Sequence, residues 1–159
     1  MKKLSIIGLI VLVLDQLTKY IVMSTMTKGQ SIVIIKDFFA LTSHRNQGAA
    51  WGMFQGRMGF FYVVTAFSLV LFYFLYKELD RKSFFVNLGL GMMIGGTFGN
   101  FIDRVTMGEV VDFLDFTIPV INYDFPIFNV ADMGLSVGVT ILIIIMLFDT
   151  IKEYKDGKI

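Results

Sequence analysis

Carboxylates and side-chain amides are clustered in the second half of the 159-residue chain, and they are the groups best suited to chemistry. Asn100 and Asp103 lie in the segment GNFIDR, Asp112 lies in GEVVDF, and Asn129 and Asp132 lie in FNVAD. Two carboxyl groups that share a proton cannot both ionise readily, so one activates water while the other protonates a leaving amine. The inventory permits an aspartic-protease reaction, with Asp103 or Asp112 as the partner of Asp132.

Residues of other catalytic classes are scarce. His44 is the only histidine, whereas a zinc site of the H-E-x-x-H type needs two. The absence of cysteine excludes disulfides, thiol catalysis and thiolate metal sites. A Ser-His-Asp triad lacks its G-x-S-x-G turn, because Ser43 simply precedes His44, and a Ser/Lys dyad built on Lys19 has no evident serine. We therefore expect neither a metal nor a cofactor.

Each acidic residue also has a purely structural interpretation. Aspartate and asparagine are favoured N-terminal caps, so either Asp132 or Asn129 could cap the last helix while the other is free. Asp112 could be a solvated loop acid. Asp15 lies ~16 Å along the first apolar run, where it could form an ion pair with Lys19 four residues later.

The elements that position these residues are apolar, since 55% of the chain is hydrophobic. Four runs have the roughly 20 mostly apolar residues that a helix needs to cross a hydrocarbon core: Leu4–Met23, Gly59–Tyr76, Phe84–Ile102 and Val130–Phe148. We predict four transmembrane helices in one domain, residues 1–159. Because the first run carries Asp15 and Lys19 and lacks a small-residue cleavage site, we expect it to remain in the mature protein.

Basic residues predict the orientation in the membrane. Four spans place both tails and the Tyr76–Phe84 turn on one side, and eight basic residues lie there: Lys2, Lys3, Lys77, Arg81, Lys82, Lys152, Lys155 and Lys158. The other six lie elsewhere in the chain. The positive-inside rule therefore predicts cytoplasmic termini. The segments Thr27–Met58 and Val105–Ile127, which hold or border the polar motifs, are then extracytoplasmic.

The two outer segments differ in their patterns. In the first, SIVIIKDFFALTSH is rich in β-branched and aromatic residues and predicts short strands. In the second, EVVDFLDF alternates like an exposed strand or an interfacial helix. Gly91, Gly95 and Gly99 form a ridge on the third helix that lets another helix approach closely. The predicted fold is an all-α membrane protein of four transmembrane helices, with a small β-rich extracytoplasmic segment in the first outer loop.

Five motifs follow one another along nearly the whole chain: DQLTK in the first helix, RNQGAAWG in the first outer loop, GGTFGNFIDR on the third helix, GEVVDF, and FPIFNVAD before the fourth helix. Together they resemble the lipoprotein signal peptidases of bacteria, also called signal peptidase II. Many members of that family have phenylalanine where this chain has Trp51. The resemblance implies a multi-pass protein of the bacterial cytoplasmic membrane whose active site faces outward.

The same resemblance implies an aspartyl endopeptidase that cleaves prolipoproteins N-terminal to the cysteine bearing a diacylglyceryl group. It implies Asp112 and Asp132 as the catalytic dyad. The residues that it implies as substrate-binding or site-supporting are Asp15, Asn46, Asn100, Arg104 and Asn129. The partners implied are diacylglyceryl-modified prolipoproteins, membrane lipid and globomycin-type inhibitors. A formal net charge of +1 argues against nucleic acid as a partner.

Two other functional classes compete with the peptidase. A small transport or channel subunit could bind protons or cations at Asp15, Asp103 and Asp132, although repeated halves and broken helices are missing from the sequence. A noncatalytic assembly factor could merely bind lipid or lipoprotein. Within the peptidase hypothesis, we expect the third helix to end near Gly108, and its negative end predicts that Asp103 is a neutral, structural hydrogen-bond donor.

Overall fold

The computed structural model describes residues 2–49, 53–121 and 123–156, so Trp51 lies outside the described residues. It contains four helices, each of which includes one predicted span: α1 Lys2–Thr25, α2 Met58–Glu78, α3 Phe84–Met107 and α4 Val130–Lys155. All four are long and apolar enough to cross a membrane. Four strands lie between them: β1 Ser31–Ile35, β2 Phe39–Asn46, β3 Val110–Ile118 and β4 Tyr123–Asp124. The prediction of four transmembrane helices is confirmed.

The strands form one antiparallel sheet in the order β1-β2-β3-β4. The β-rich segment predicted in the first outer loop is therefore confirmed, and the sheet continues into the second outer segment through β3. Of the two possibilities for EVVDFLDF, the strand is correct. It is not an exposed strand, however, because its first four residues, Val110–Phe113, are buried. The β2–β3 pairing sets His44 opposite Asp112 in the register.

Glycines bring α3 against both α1 and α4, as the small-residue ridge predicts. A Cβ atom added to Gly95 would collide with the carbonyl oxygen of Gly8 on α1. On the other side of α3, a Cβ atom at Gly96 would collide with the carbonyl oxygen of Ala131 on α4. Helix α3 is therefore the centre of the bundle, whereas α2 packs mainly on α3 and remains largely exposed.

The end of α3 directs the chain back toward the bundle. Gly108 caps the helix with a left-handed φ of 71°, a conformation that glycine adopts without steric cost, and the predicted helix end is confirmed. Strand β3 begins two residues later at Val110. This reversal carries Asp112 toward the first turn of α4, where Asp132 lies.

Candidate active site

A cavity of about 650 Å³ lies between α2, α3, α4 and the sheet. Its apolar lining includes Phe61, Val64, Phe72, Leu135 and Val137. Five of the predicted site residues also line it: Asn46, Asn100, Arg104, Asp112 and Asp132. The fold thus brings side chains from the first outer segment, α3, β3 and α4 to one apolar cavity.

Strand β3 holds Asp112 in the interior, where 2% of the residue is exposed. Its Oδ2 accepts a hydrogen bond from Asn46 Nδ2 at 2.9 Å, and its Oδ1 accepts one from Asn129 Nδ2 at 2.7 Å. The interpretation of Asp112 as a solvated loop acid is therefore wrong. Burial, together with the negative charge of Asp132, raises the pKa of Asp112 from its ordinary value to about 7.

Asp132 lies in the first turn of α4, where a capping box fixes its carboxylate. Asn129 is the N-cap and accepts from the backbone N–H of Asp132 at 3.0 Å, while Asp132 Oδ2 accepts from the backbone N–H of Asn129 at 3.2 Å. Both residues therefore cap the helix, because the backbone offers a donor to each, and neither is free as the alternative of a single cap had it. Asp132 Oδ1 also accepts from Asn100 Nδ2 at 2.7 Å.

Asn129 connects the two carboxylates and is completely buried. Its side-chain NH₂ group donates to Asp112 Oδ1 and, at 3.0 Å, to Asn100 Oδ1. Asn100 in turn donates to Asp132. Each oxygen of Asp112 and Asp132 thus accepts at least one hydrogen bond from a group of fixed position, which holds both carboxyl groups in defined orientations.

The sequence and the fold have close relatives. The family model for signal peptidase (SPase) II matches residues 7–148. The lipoprotein signal peptidase of Staphylococcus haemolyticus is 45% identical over 144 residues, covering 91% of this chain and 90% of that protein. The lipoprotein signal peptidase of Staphylococcus aureus (strain MRSA252) is 47% identical over 146 residues, covering 91% and 88%. This chain belongs to the signal peptidase II family.

Two solved bacterial membrane enzymes have the same fold. One has a TM-score of 0.85 and 43% identity, covering 94% of this chain and 90% of the other; the second has a TM-score of 0.81 and 42% identity, covering 92% and 94%. This chain is accordingly a multi-pass membrane protease of a family that processes lipoprotein precursors. The family assignment favours the peptidase over the transport subunit and the assembly factor.

A buried charged cluster lies next to the cavity but does not line it. Lys19 Nζ is 2.8 Å from Asp15 Oδ2 and 2.8 Å from Asp103 Oδ2. The ion pair predicted between Asp15 and Lys19 is confirmed. Asp15 Oδ1 also accepts from the backbone N–H of Ala131 at 2.8 Å. Asp15, which the resemblance implies as a site residue, thus binds the start of α4 and does not line the cavity.

The prediction that Asp103 is a neutral donor is wrong. Its Oδ1 accepts from Gln16 Nε2 at 2.9 Å, and its Oδ2 accepts from the backbone N–H of Val111 at 3.1 Å as well as facing Lys19. All these partners are donors, so Asp103 acts as a carboxylate acceptor. Asp103 is absent from the cavity lining, and the acid that accompanies Asp132 there is Asp112.

Arg104 ties the first outer segment to the bundle above the cavity. Its Nη2 donates to the carbonyl oxygen of Gly48 at 3.2 Å, and its guanidinium carbon lies 4.3 Å from the centroid of the Phe61 ring. Asn46 supports the same segment, because its Oδ1 accepts from the backbone N–H of Gly48 at 2.9 Å. Asn46 therefore connects this segment to Asp112, and Arg104 connects it to α2.

Other catalytic groups do not assemble. Ser43 is buried whereas its neighbour His44 is exposed, so their side chains lie on different faces of β2 and form no triad. The ammonium of Lys19 faces two carboxylates and Asn100 rather than a serine. Within residues 2–49, 53–121 and 123–156, no three histidine or acidic residues are grouped as metal ligands.

Sequence reasoning missed the roles of Lys19 and Gln16. Lys19 Nζ donates to Asn100 Oδ1 at 2.9 Å across 81 residues of sequence, and Gln16 Nε2 reaches Asp103 across 87. The only local signal was the presence of polar side chains within an apolar helix. Because such residues are costly in a membrane unless they have partners, that signal indicates a polar contact without identifying it.

Proposed function

We propose that this member of the signal peptidase II family is an aspartyl endopeptidase, with residues 1–159 as one peptidase domain. It removes the signal peptide from diacylglyceryl-modified bacterial prolipoproteins and cuts N-terminal to the lipidated cysteine. The supporting observation is that Asp112 and Asp132 line one apolar cavity and are joined through Asn129 and Asn100. Two carboxyl groups in such a site provide both the base and the acid that peptide hydrolysis needs.

The environments of the two acids suggest their resting roles. Asp132 lies at the N-terminus of α4, where the helix dipole and the N–H of Asn129 favour its charged form. Asp112 has a pKa near 7, because burial and the charge of Asp132 disfavour its ionisation. In our proposal Asp132 holds the charge and Asp112 the proton, although a coupled pair titrates as a unit and the roles exchange during turnover.

Hydrolysis then proceeds through general acid–base steps. Asp132 takes a proton from water as the water oxygen bonds to the scissile carbonyl carbon, whose C=O π electrons move to the carbonyl oxygen and make it an oxyanion. Asp112 gives its proton to the leaving amide nitrogen as the C–N bond breaks. The products are the carboxyl end of the signal peptide and the free amine of the lipidated cysteine. Asn46, Asn100 and Asn129 hold the acids, while Arg104 and Asp15 hold the outer segment and the start of α4.

The apolar cavity suits a substrate that arrives within the membrane. Each buried methylene of an acyl chain contributes ~0.8 kcal/mol to membrane partitioning, so lipidation concentrates the precursor at the depth of the site. An unmodified peptide must reach the same carboxylates from water. We propose that globomycin-type inhibitors occupy the same cavity in competition with the precursor.

The test is cleavage of a precursor with and without its diacylglyceryl group by the purified protein in detergent or lipid, followed by mass spectrometry. The lipidated precursor is expected to release its signal peptide, and the unlipidated one to release hardly any. Equal rates at equal peptide concentration would contradict the lipid-guided mechanism. No release from either precursor would overturn the proposed activity.

We also propose that the protein lies in the bacterial cytoplasmic membrane with cytoplasmic termini and an extracytoplasmic active site. Lys36 lies in the turn between β1 and β2, whereas Lys82 lies in the turn between α2 and α3. Because the chain lacks cysteine, single cysteines at these positions can be labelled specifically. In intact cells an impermeant reagent is expected to label Lys36→Cys only. Labelling of both from outside would contradict this orientation.

A further inference from the structure

Lys19 is a buried cation that the hydrolytic steps do not use. Only 1% of the residue is exposed, and its ammonium contacts Asp15, Asp103 and Asn100 at 2.8, 2.8 and 2.9 Å. Lysine is almost never fully buried unless it is paired. An ammonium group has three N–H donors, and the one that the two carboxylates leave over goes to Asn100.

That third contact determines the orientation of Asn100. An ammonium group can only donate, so the side-chain oxygen of Asn100 must face Lys19. The NH₂ group of Asn100 then points the other way and donates to Asp132 at 2.7 Å. The same oxygen accepts from Asn129, whose NH₂ group also donates to Asp112. The cation at the base of the network therefore directs the NH₂ group of Asn100 toward Asp132, and the oxygen that it orients also accepts from Asn129.

We propose that Lys19 is a positioning residue for the Asp112–Asp132 dyad: it orients Asn100 toward Asp132, and the charge of its cluster sets the pH range in which the dyad works. This inference rests on the proposed function, in which those two aspartates carry the chemistry. Lys19 lines no part of the cavity and contacts neither aspartate directly in the described hydrogen-bond network.

The charged groups around the network come from four elements, α1, α3, β3 and α4. Asp15 and Lys19 come from α1, Asp103 and Arg104 from α3, and the dyad itself from β3 and α4. The positive charge of Lys19 lowers the pKa of Asp112, opposing the larger effects of burial and Asp132. Loss of that charge therefore raises the pKa of Asp112 further, and loss of a negative charge from the cluster acts in the opposite direction.

The Lys19→Gln variant removes the charge but keeps a side chain that can donate to Asn100. With the lipidated precursor, kcat is expected to fall about tenfold to a hundredfold, the cost of a small misplacement of catalytic groups, with little change in KM. Because Asp112 acts in its protonated form, activity falls as pH rises through its pKa, so the alkaline limb of the kcat profile is expected to move to higher pH by about one unit. A role in stability alone would lower the amount of active protein and leave that limb in place, which would overturn the inference.

Asp103→Asn is the matched variant, because it changes the charge of the same cluster in the opposite direction to Lys19→Gln. It keeps Lys19 paired with Asp15 and removes one negative charge from the cluster, so the alkaline limb is expected to move to lower pH. Opposite movements of the limb in the two variants support the inference. If Lys19→Gln fails to fold, the pH profile of kcat of Asp103→Asn provides the test. A limb at the same pH as in the unchanged protein then overturns the inference.

Titration of Asp112 without substrate separates this inference from the proposed function. The carbon-13 resonance of its side-chain carboxyl, followed in detergent micelles, is expected to titrate near pH 7 in the unchanged protein and at higher pH in Lys19→Gln. An equal midpoint in both proteins overturns the inference, whether or not the precursor is cleaved. Failure of the unchanged protein to cleave any precursor overturns the proposed function and leaves this measurement valid.

Discussion

Helices α2 and α3 both border the cavity, yet they are built in opposite ways. Twelve of the 24 residues of α3 are buried, including Asn100 and Asp103, whereas α2 buries only Phe61 and Phe72 among its 21. Helix α3 carries glycines at its contacts with α1 and α4, while α2 presents large aromatic and aliphatic side chains outward. One wall of the cavity is thus a tightly packed polar scaffold, and the other is a loosely attached apolar helix.

This difference separates two requirements of an enzyme that acts within a membrane. Carboxylates need fixed donors, and β2, α3 and the N-cap residue of α4 provide them at Asp112 and Asp132. In our proposal the substrate is lipid-anchored and needs an apolar surface that it can reach from the bilayer, and α2 provides one. We expect substitutions in the polar scaffold to be severe and matched substitutions in α2 to be mild.

The largest difference is expected between two helix N-caps. Asn129 caps α4 and bonds to Asp112, Asn100, the carbonyl of Val111 and the N–H of Asp132, whereas Arg57 begins α2 without a side-chain capping bond. Asn129→Ala leaves several buried groups without partners and should cost at least about 3 kcal/mol of unfolding free energy. It should also abolish cleavage.

Arg57→Ala is the control, and it should change neither thermal stability nor cleavage appreciably. Thermal unfolding in detergent and the cleavage assay measure both variants. Similar losses in the two would show that the polar scaffold and α2 do not differ as the contacts indicate.

A smaller difference is expected between two glycines. A Cβ atom at Gly95 meets the backbone of Gly8, which cannot move without separating α1 from α3, whereas a Cβ atom at Gly59 on α2 meets nothing within 4 Å. Gly95→Ala should therefore lower the unfolding free energy by about 2–3 kcal/mol. Gly59→Ala should raise it by no more than about 1 kcal/mol, through helix propensity. Equal unfolding midpoints for these two variants would contradict the close packing of α3.

The last effect expected is a dependence of stability on pH. The pKa of Asp112 is near 7 in the folded protein, against 3.8 for an unperturbed aspartate. Between these values the folded protein keeps a proton that the unfolded chain has lost, so stability falls as pH rises from about 4 to about 7. Asp112→Asn should flatten this part of the curve. The difference in Tm between the variant and the unchanged protein should therefore be a few degrees more favourable to the variant at pH 8 than at pH 5. An unchanged slope would place the raised pKa elsewhere.

The sequence was sufficient for features that depend on neighbouring residues. Hydropathy predicts all four spans, because crossing a bilayer requires an apolar run of fixed length. The helix end at Gly108 and the ion pair of Asp15 with Lys19 also follow from local geometry. The residues Asn129 and Asp132 were correct as capping candidates, but their reciprocal bonds could be seen only once the backbone was placed.

Features that depend on distant residues were not predictable. Asp103 becomes an acceptor because Lys19, Gln16 and the N–H of Val111 converge on it from α1 and β3. Asp112 becomes buried because β3 pairs with β2 and turns its first residues inward. The alternation of EVVDFLDF leaves the buried face of that strand undetermined, since periodicity alone does not say what covers it.

The central claim is that Asp112, rather than Asp103, works with Asp132. The direct measurement is turnover of a diacylglyceryl-modified precursor by Asp112→Asn and Asp103→Asn, with globomycin binding and thermal unfolding to verify each fold. Asp112→Asn should remain folded, bind globomycin more weakly and release no signal peptide, because it lacks the acid that lines the cavity. Asp103→Asn should unfold at lower temperature and retain some cleavage. Substantial turnover by folded Asp112→Asn, or a stable but inactive Asp103→Asn, would contradict the account.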